Sequence, residues 1–365
     1  MRPSDRLFLE MTVDLAAQGR FTCSPNPPVG CVIVKDGRIL GRGYHQRAGE
    51  GHAEVNALAD ADARGEDVTG ADVFVSLEPC AFVGRTPACA STLVARKVGR
   101  VVIALIDPFE KVSGAGVEIL RQAGIQVDVA AVQDSADAAS LIEGFVSRTQ
   151  RGRPFVRLKT ATSMDGNIAL ADGSSQWITG PESRADVQYW RARSDAVITG
   201  IGTVLADNPQ LTVRADHLAH ANQPVRVVLD RQLRTPMNFH VVSDGYPTWI
   251  CHNADHTQGQ GEPKEWPESV RLLALSEPDA LQDLLAALAE AGCNEVLVEA
   301  GAGVCGAFVE QGLWDEWICY IAPKWLGSDA QPVAHFALQK LALAPQGRIS
   351  STTHLGNDLR LIVRP

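Results

Sequence analysis

Residues 71–89 read ADVFVSLEPCAFVGRTPAC, and this stretch decides how the first third of the chain is interpreted. Its first seven residues form an apolar, β-branched run of the kind that builds buried strands. Cys80 follows the strand, and Cys89 begins the next apolar helical run. Upstream, His52-Ala53-Glu54 opens a segment with apolar residues at helical spacing. The pattern predicts that one histidine and two cysteines at the ends of these elements converge.

One imidazole and two thiolates suit Zn²⁺ with its fourth tetrahedral position open to water, and an open position indicates catalysis. We therefore predict His52, Cys80 and Cys89 as the ligands of one Zn²⁺ per chain. Glu54 lies two residues from the histidine and is predicted to carry protons from the activated water to a leaving amine. This order of residues is typical of zinc nucleobase deaminases. The structural alternative is that His52 caps a helix and both cysteines are packing residues.

The flanking sequence predicts an α/β layer of about five strands that is complete by about residue 146. The Asp36-Gly37 step is typical of a hairpin turn. The predicted helices are 4–17, 52–63 and 117–123, and the predicted strands are 29–34, 38–44, 71–77, 100–105 and 125–129.

Residues 148–154 are polar, lack periodicity and contain glycine and proline, so we predict a linker there. Two domains follow from this boundary, over 1–147 and 153–365. A second α/β series fills the latter, and residues 252–268 are predicted to be a surface loop. The predicted strands of this second series are 155–160, 196–199, 225–229, 248–251, 272–275, 295–298, 316–321 and 359–363. Its predicted helices are 181–193, 279–291 and 306–311.

Two glycine-containing turns in the second series indicate a phosphate-bearing ligand. Residues 199–209 place glycine and threonine directly after a buried strand, where backbone amides can approach a phosphate or a nicotinamide. Residues 299–306 form a Gly-rich segment between a strand and a helix, which is typical of a pyrophosphate cradle. Its spacing is not that of a first-strand Rossmann fingerprint, so an ordinary Rossmann dehydrogenase fits poorly.

The composition of the chain limits which classes of partner it can bind. The chain has 365 residues, is 45% hydrophobic and carries a net charge of −10, which opposes binding to nucleic-acid backbones. It contains no run of about 20 apolar residues and no apolar leader, so we expect a cytoplasmic protein that does not bind membranes. Its eight widely spaced cysteines make a disulfide framework improbable. The expected ligand is a small molecule, and we expect a homo-oligomer.

The first half resembles the deaminase half of the bifunctional riboflavin-biosynthesis deaminase/reductase family. The segments that carry the resemblance are Asn26 to Gly30, Gly43 to His45, Ala48-Gly49, His52 to Val55 and the long segment from Pro79 through Gly84-Arg85-Thr86-Pro87 to Cys89. This long loop is absent from cytidine deaminases. The resemblance implies a cytidine-deaminase-like three-layer α/β domain.

The loop departs from the family pattern at two positions. The family has a histidine where this chain has Phe82, and a second proline where it has Ala88. Phenylalanine cannot donate a hydrogen bond, so a substrate contact made by the family's histidine must be absent or supplied by another residue. His45 is a candidate for that role.

The second half is similar to the reductase half of the same family, which implies a dihydrofolate-reductase-like fold and NADPH as cofactor. The resemblance implies NADPH contacts at Ala161, Trp177, Thr203, Asp207, Gly301, Ala302, Gly303, Val304, Cys305, Gly306 and Ala307. It implies substrate contacts at Ser175, Arg191, Leu211, Arg214 and Glu299. Lys159 and Asp207 are expected nearest the reacting sugar carbon, and the guanidinium groups of Arg191 and Arg214 suit a 5′-phosphate.

The resulting hypothesis is a bifunctional enzyme that acts on a phosphorylated pyrimidine. It would deaminate 2,5-diamino-6-(5-phosphoribosylamino)pyrimidin-4-one and then reduce the ribosyl group to a ribityl group with NADPH. One alternative is a nucleotide or tRNA deaminase joined to an unrelated ligand-binding domain. Another is a non-enzymatic scaffold held together by zinc, although such a scaffold would be expected to supply a fourth protein ligand.

Overall fold

The computed structural model describes residues 2, 4–82, 88–109, 113–254, 265–276 and 280–365. It divides into two compact units, Met1–Gly152 and Arg153–Pro365. No helix in the described residues is long and apolar enough to cross a bilayer.

The first unit contains a mixed sheet with the strand order β2-β1-β3-β4-β5. β1 pairs antiparallel with β2 and with β3, while β3, β4 and β5 are parallel. Its strands are β1 (Gly30–Lys35), β2 (Arg38–Tyr44), β3 (Asp72–Val75), β4 (Arg100–Ile103) and β5 (Gln126–Val129). Its helices are α1 (Asp5–Gln18), α2 (Ala53–Ala63), α3 (Cys89–Ala95), α4 (Ala115–Gln122), α5 (Ala136–Leu141) and α6 (Glu143–Arg151).

Side chains along the strands alternate between the two faces of the sheet, and helices cover both faces, so the unit has three layers. Ile33 and Val73 face a core shared with α2, α3 and α4, whereas Val32 and Phe74 face α1 and α5 on the other side. Successive strand residues point to opposite faces, so short apolar strands covered on both sides give this arrangement. The predicted three-layer, cytidine-deaminase-like domain is confirmed.

Helix α2 lies with its backbone directly on β2. A methyl group added at Gly43 would lie 2.3 Å from the Ala57 backbone nitrogen, and one at Gly41 would lie 2.2 Å from the Ala57 carbonyl oxygen. Only glycine permits this close approach. The contact fixes the start of α2, where His52 and Glu54 lie.

The prediction of an irregular linker over 148–154 is wrong for its first four residues, which belong to α6. The partly buried side chains of Phe145 and Val146 pack against the first unit, which favours continued helix. Gly152, with φ of 66°, ends the helix in the left-handed conformation that glycine adopts readily. Helix α5 was also not predicted.

The second unit contains a large mixed sheet with the order β11-β10-β9-β8-β12-β6-β13-β16-β15, and a small antiparallel pair of β14 with β7. Its strands are β6 (Phe155–Ser163), β7 (Asn167–Ala169), β8 (Ala196–Gly200), β9 (Val225–Leu229), β10 (Thr248–Asn253), β11 (Val270–Leu275), β12 (Glu295–Val298), β13 (Glu316–Ala322), β14 (Gln331–Pro332), β15 (Arg348–Leu355) and β16 (Asp358–Arg364). Its helices are α7 (Pro181–Arg193), α8 (Ile201–Asp207), α9 (His240–Ser243), α10 (Ala280–Glu290) and α11 (Ala302–Glu310).

The strands from β11 through β13 in this order are parallel, and β16 and β15 add antiparallel pairs at one edge. Helices α10 and α11 cover one face of the sheet, while α7, α8 and α9 cover the other. In open parallel sheets, ligands bind beyond the carboxyl ends of the strands. The loops after β8, β9, β10 and β12 are therefore brought together at one edge.

Both glycine-containing turns contain more helix than predicted. Residues 201–207 form α8, and α11 begins at Ala302, four residues before the predicted start. In α11, Gly306 permits close packing, because a methyl group there would lie 1.9 Å from the His335 carbonyl oxygen. Strands β7, β14 and β15 were not predicted, and residues 255–264 of the predicted surface loop lie outside the described residues.

Replacing Gly43 with alanine is expected to destabilise the first unit by about 3 kcal/mol, because the backbone of α2 cannot move away without losing its packing. The control is Gly65→Ala, whose methyl group meets open space but whose φ of 71° costs about 1 kcal/mol of backbone strain. Chemical denaturation followed by circular dichroism measures both. Equal losses for the two variants would show that the close contact at Gly43 does not matter.

Candidate active sites

The structure brings the three predicted metal ligands together. The Nδ1 atom of His52 lies 3.6 Å from Sγ of Cys80 and 3.3 Å from Sγ of Cys89. All three ligand atoms lie within 4.8 Å of one another. Tetrahedral Zn²⁺ with bonds of about 2.0–2.3 Å separates its ligand atoms by about 3.5 Å, so the cluster fits the ion.

Three elements position these ligands. His52 is the N-cap residue of α2, and Cys89 is the first residue of α3. Cys80 lies in the segment after β3, and its sulfur accepts a hydrogen bond from the Cys89 backbone nitrogen at 3.3 Å. Hydrogen bonds from the Cys89 thiol and the His52 imidazole lower the pKa of the Cys80 thiol.

Glu54 lies in the first turn of α2 and is 3% exposed. Burial raises the pKa of its carboxyl group to about 6, and the carboxyl group interacts with the Cys89 thiol. A carboxyl group with a pKa near the working pH can both take up and release a proton. The structure therefore combines the predicted proton carrier with the predicted metal ligands.

His45 packs behind His52. Its Nε2 atom lies 3.0 Å from the Asn26 amide nitrogen, its Nδ1 atom lies 3.1 Å from the Gly51 carbonyl oxygen, and its ring meets that of His52 edge-on at 5.3 Å. Both ring nitrogens have protein partners. His45 therefore supports His52 and does not offer a nitrogen atom in place of the family's loop histidine.

Glu78, which holds the segment before Cys80 in place, was not predicted as a functional residue. Its buried carboxylate accepts backbone hydrogen bonds from Asp107 at 3.1 Å, Gly114 at 3.0 Å, Gly116 at 2.9 Å and Val117 at 3.1 Å. It thus ties the start of α4 to the chain two residues before Cys80. The signal available in the sequence was an acidic residue directly after the predicted strand 71–77.

The loop between the cysteines is only partly described. Phe82 is 54% exposed, and Ala88 is buried. Gly84, Arg85, Thr86 and Pro87, which carry part of the resemblance, lie outside the described residues.

The second unit contains a cavity of about 1420 Å³ at the edge where the parallel strands end. All but two of the residues that the resemblance assigns to the reductase line this cavity. The predicted residues that line the cavity are Lys159, Ala161, Ser175, Trp177, Arg191, Thr203, Asp207, Leu211, Arg214, Glu299, Gly301, Ala302, Gly303, Val304 and Ala307.

Cys305 and Gly306 are the exceptions. Cys305 is fully buried, and its thiol donates to the Ala300 carbonyl oxygen at 3.4 Å. Gly306 lies against the His335 backbone. Both residues are on the side of α11 that packs into the unit.

A buried ion cluster forms one wall of the cavity. Glu299 accepts hydrogen bonds from Arg191 Nε at 2.6 Å and Nη2 at 3.1 Å, and its carboxylate lies 3.6 Å from Lys159 Nζ. Burial alone would raise the pKa of Glu299, but the Arg191 and Lys159 charges hold it at about 2. Strand register explains the cluster, because Val298 of β12 pairs with Leu158 of β6.

Arg214 is exposed and borders the cavity. Its Nη1 atom donates to Gln210 at 2.8 Å, and its backbone nitrogen donates to the Gln188 side chain at 2.8 Å. Burial and the neighbouring Arg191 charge lower the pKa of Arg214. Two guanidinium groups that repel each other in this way favour an anion between them.

The loop before α7 reaches across the cavity to α8. Gln176 donates to the Asp207 carboxylate at 3.1 Å, and Lys324 donates to the Trp177 carbonyl oxygen at 2.7 Å. The Trp177 ring is 61% exposed and lies 4.4 Å from the Arg184 guanidinium carbon. Gln176 and Arg184 were not predicted from the sequence to lie at this site.

Comparison with known families assigns both units. Residues 2–105 match the cytidine and deoxycytidylate deaminase zinc-binding region, and residues 154–361 match the RibD C-terminal domain. The riboflavin biosynthesis protein RibD of Escherichia coli is 44% identical over 98% of both chains. That of Haemophilus influenzae is 40% identical over 99% of this chain and 97% of its own.

Solved structures agree with these matches. Acinetobacter baumannii RibD has a TM-score of 0.90 and 39% identity over 99% of both chains. A diaminohydroxyphosphoribosylaminopyrimidine deaminase/5-amino-6-(5-phosphoribosylamino)uracil reductase from Thermotoga maritima has a TM-score of 0.88 and 34% identity, over 99% of this chain and 98% of that one.

The two matched domains and the two sites define a class of bifunctional enzyme that joins a zinc-dependent deaminase to an NADPH-dependent reductase. The chain belongs to the RibD family of riboflavin-biosynthesis proteins. Its deaminase and reductase activities act on small molecules in riboflavin biosynthesis. The alternative of an unrelated second domain is not favoured, because the likeness extends over both units.

Cys89→Ser is expected to lower the zinc content from about one equivalent per chain to a small fraction, because the alcohol is a poor zinc ligand beside His52 and Cys80. The matched control is Cys319→Ser in the second unit, which should retain the metal. Metal analysis of dialysed protein gives both values. A full equivalent of zinc in the Cys89→Ser protein would contradict the ligand assignment.

Proposed function

We propose that residues 1–147 deaminate 2,5-diamino-6-(5-phosphoribosylamino)pyrimidin-4-one and that residues 153–365 reduce the ribosyl group of the product to ribityl with NADPH. The observation that carries the proposal is the presence, in one chain, of a metal-ligand cluster with a buried carboxyl group and a cavity lined by arginines. The first site suits amine loss, and the second suits a phosphorylated sugar.

His52, Cys80 and Cys89 hold the zinc ion in the deaminase. When bound, Zn²⁺ supplies a Lewis acid that activates water near neutral pH. Glu54 takes up a proton from the attacking water and delivers it to the leaving amino group, so that ammonia departs. The pKa of about 6 for the Glu54 carboxyl group supports both the uptake and the release of the proton.

In the reductase, residues at the carboxyl ends of β8 and β12 hold NADPH, which supplies the hydride. Gly301, Ala302, Gly303 and Val304 border the cavity at the start of α11, where free backbone N–H groups suit the pyrophosphate. Further cofactor contacts are assigned to Ala161, Trp177, Thr203, Asp207 and Ala307.

The substrate is held between the ion cluster and Arg214, which borders the same cavity. Arg191 uses three of its five N–H groups on Glu299 and the Thr212 carbonyl oxygen, so its main effect is to orient Glu299. Arg214 is then the principal phosphate contact. Lys159, which lies beside Glu299, is assigned to protonating the opening sugar, and Asp207 to orienting it.

The remaining substrate contacts are assigned to Ser175 and to Leu211, which border the same cavity. Leu211 is 3% exposed and has a φ of 57°, an uncommon conformation for a leucine. The turn that it forms leads the chain from α8 to Arg214.

We also propose a cytoplasmic homo-oligomer. Strand β15 is a sheet edge, and edges invite pairing with a second chain. Large apolar side chains are exposed in the neighbouring sequence, with Leu341 89% exposed, Leu343 65% exposed and Ile349 57% exposed. Such exposure supports burial against another copy.

Glu54→Gln is expected to retain zinc but to deaminate at least ~100-fold more slowly, because the amide cannot carry the proton. Reduction should continue when the deaminated intermediate is supplied. Ammonia release and NADPH absorbance follow the two reactions separately. Loss of both activities would contradict the assignment of separate sites.

Arg214→Ala is expected to weaken the binding of the phosphorylated substrate by roughly 10- to 100-fold, the usual loss for a charged hydrogen bond. Arg214→Lys should recover only part, because lysine lacks the planar fork. The Michaelis constant is compared for phosphorylated and dephosphorylated intermediates. Equal losses on both would remove Arg214 from phosphate recognition.

A further inference from the structure

The segment 208–214, which ends at the arginine assigned to the substrate phosphate, is fixed along its backbone by side chains from outside it. The fully buried Arg226 of β9 donates to the Gln210 carbonyl oxygen at 3.3 Å. The Gln223 side chain accepts from the Val213 backbone nitrogen at 2.8 Å and donates to the Val213 carbonyl oxygen at 2.9 Å. The backbone that carries the arginine is therefore held in a defined place before any substrate binds.

Gln188 of α7 holds the end of this segment. It is half-buried and borders the cavity. Its Oε1 atom accepts a hydrogen bond from the Arg214 backbone nitrogen at 2.8 Å. The Arg214 guanidinium is held separately, because its Nη1 atom donates to Oε1 of Gln210 at 2.8 Å. The amide group of Gln188 is thus fixed directly beside the Arg214 backbone.

The Nε2 atom of Gln188 makes no hydrogen bond within the part of the chain that the structure describes. A glutamine amide has one acceptor oxygen and two N–H donors on the same planar group. Because the hydrogen bond to Arg214 fixes the oxygen, it also limits where the two N–H donors can lie. Donors that are already ordered at the wall of a cavity can bind an anionic oxygen with little further ordering cost.

The charges around Gln188 indicate which kind of ligand these donors suit. Arg191 lies three residues further along α7, so its side chain and that of Gln188 are neighbours on one face of the helix. Burial and the Arg191 charge lower the pKa of Arg214, which shows that the two guanidinium groups are close. A phosphate group presents several anionic oxygens and can bind neutral and charged N–H donors together. A sugar hydroxyl gains much less from such a site.

We propose that Gln188 is a second phosphate-binding residue of the reductase, whose Nε2 atom donates to a phosphate oxygen of the substrate while its Oε1 atom holds the Arg214 backbone. The inference rests on the phosphate recognition proposed above for Arg214. A neutral amide adds donors to the site without adding to the repulsion between Arg191 and Arg214. Gln188 therefore contributes to the selection of phosphorylated substrates both directly and by positioning Arg214.

The test measures reduction of the deaminated intermediate, with and without its phosphate, by the full-length protein at saturating NADPH. Gln188→Glu keeps an oxygen that can accept from the Arg214 backbone, but it replaces the N–H donors with a negative charge. It should raise KM for the phosphorylated intermediate by roughly 10- to 100-fold, the loss expected for a hydrogen bond to a charged group. KM for the dephosphorylated intermediate and both kcat values should be unchanged, because only uniform binding is lost.

Gln188→Ala removes the donors without adding a charge and should raise the same KM by roughly 10-fold. The matched control is Gln311→Glu, because Gln311 also borders the cavity but follows the last residue of α11. The same change of charge at that position should leave KM unchanged for both intermediates.

Unchanged KM for the phosphorylated intermediate in the Gln188→Glu protein would overturn the inference, because it would show that Gln188 only holds the Arg214 backbone. Equal rises in KM for both intermediates would also overturn it. A phosphate-selective loss in Arg214→Ala with none in Gln188→Glu would leave the proposed function standing and remove Gln188 alone. Failure of the unaltered protein to reduce the deaminated intermediate would contradict the proposed function and the inference with it.

Discussion

The backbone contact between α2 and β2 is the constraint on which the metal site depends. Glycines at positions 41 and 43 let the helix approach the strand closely, and this fixes the first turn that carries His52 and Glu54. The Glu54 carboxyl group in the same turn is buried, and this burial raises its pKa. The start of one helix therefore carries both a predicted metal ligand and the predicted proton carrier.

In the second unit, the placement of charged side chains determines the properties of the cavity. Glu299 is buried, yet it stays ionised because Arg191 and Lys159 flank it, and in this cluster the two cations outnumber the one carboxylate. The chain as a whole carries a net charge of −10. Anion recognition is thus a local property of one cavity, and the net charge does not reveal it.

The sequence predicted that His52, Cys80 and Cys89 converge, because each lies at the start of a helix or close after a strand, where spacing and residue type are informative. It predicted the strands of both sheets for the same reason, apart from β7, β14 and β15, which are exposed or very short. It did not predict that Cys305 and Gly306 face inward, because helix starts in Gly-rich segments are set by packing. The four hydrogen bonds to Glu78 were also inaccessible, since they join segments distant in sequence.

We propose that one chain performs two chemically separate steps in a fixed order. NADPH oxidation by the full-length protein, followed before and after zinc is removed with a chelator, tests this proposal. Zinc removal should stop oxidation when the diaminopyrimidine phosphate is supplied and leave oxidation unchanged when the deaminated intermediate is supplied. Unchanged oxidation with the diaminopyrimidine phosphate after zinc removal would contradict it.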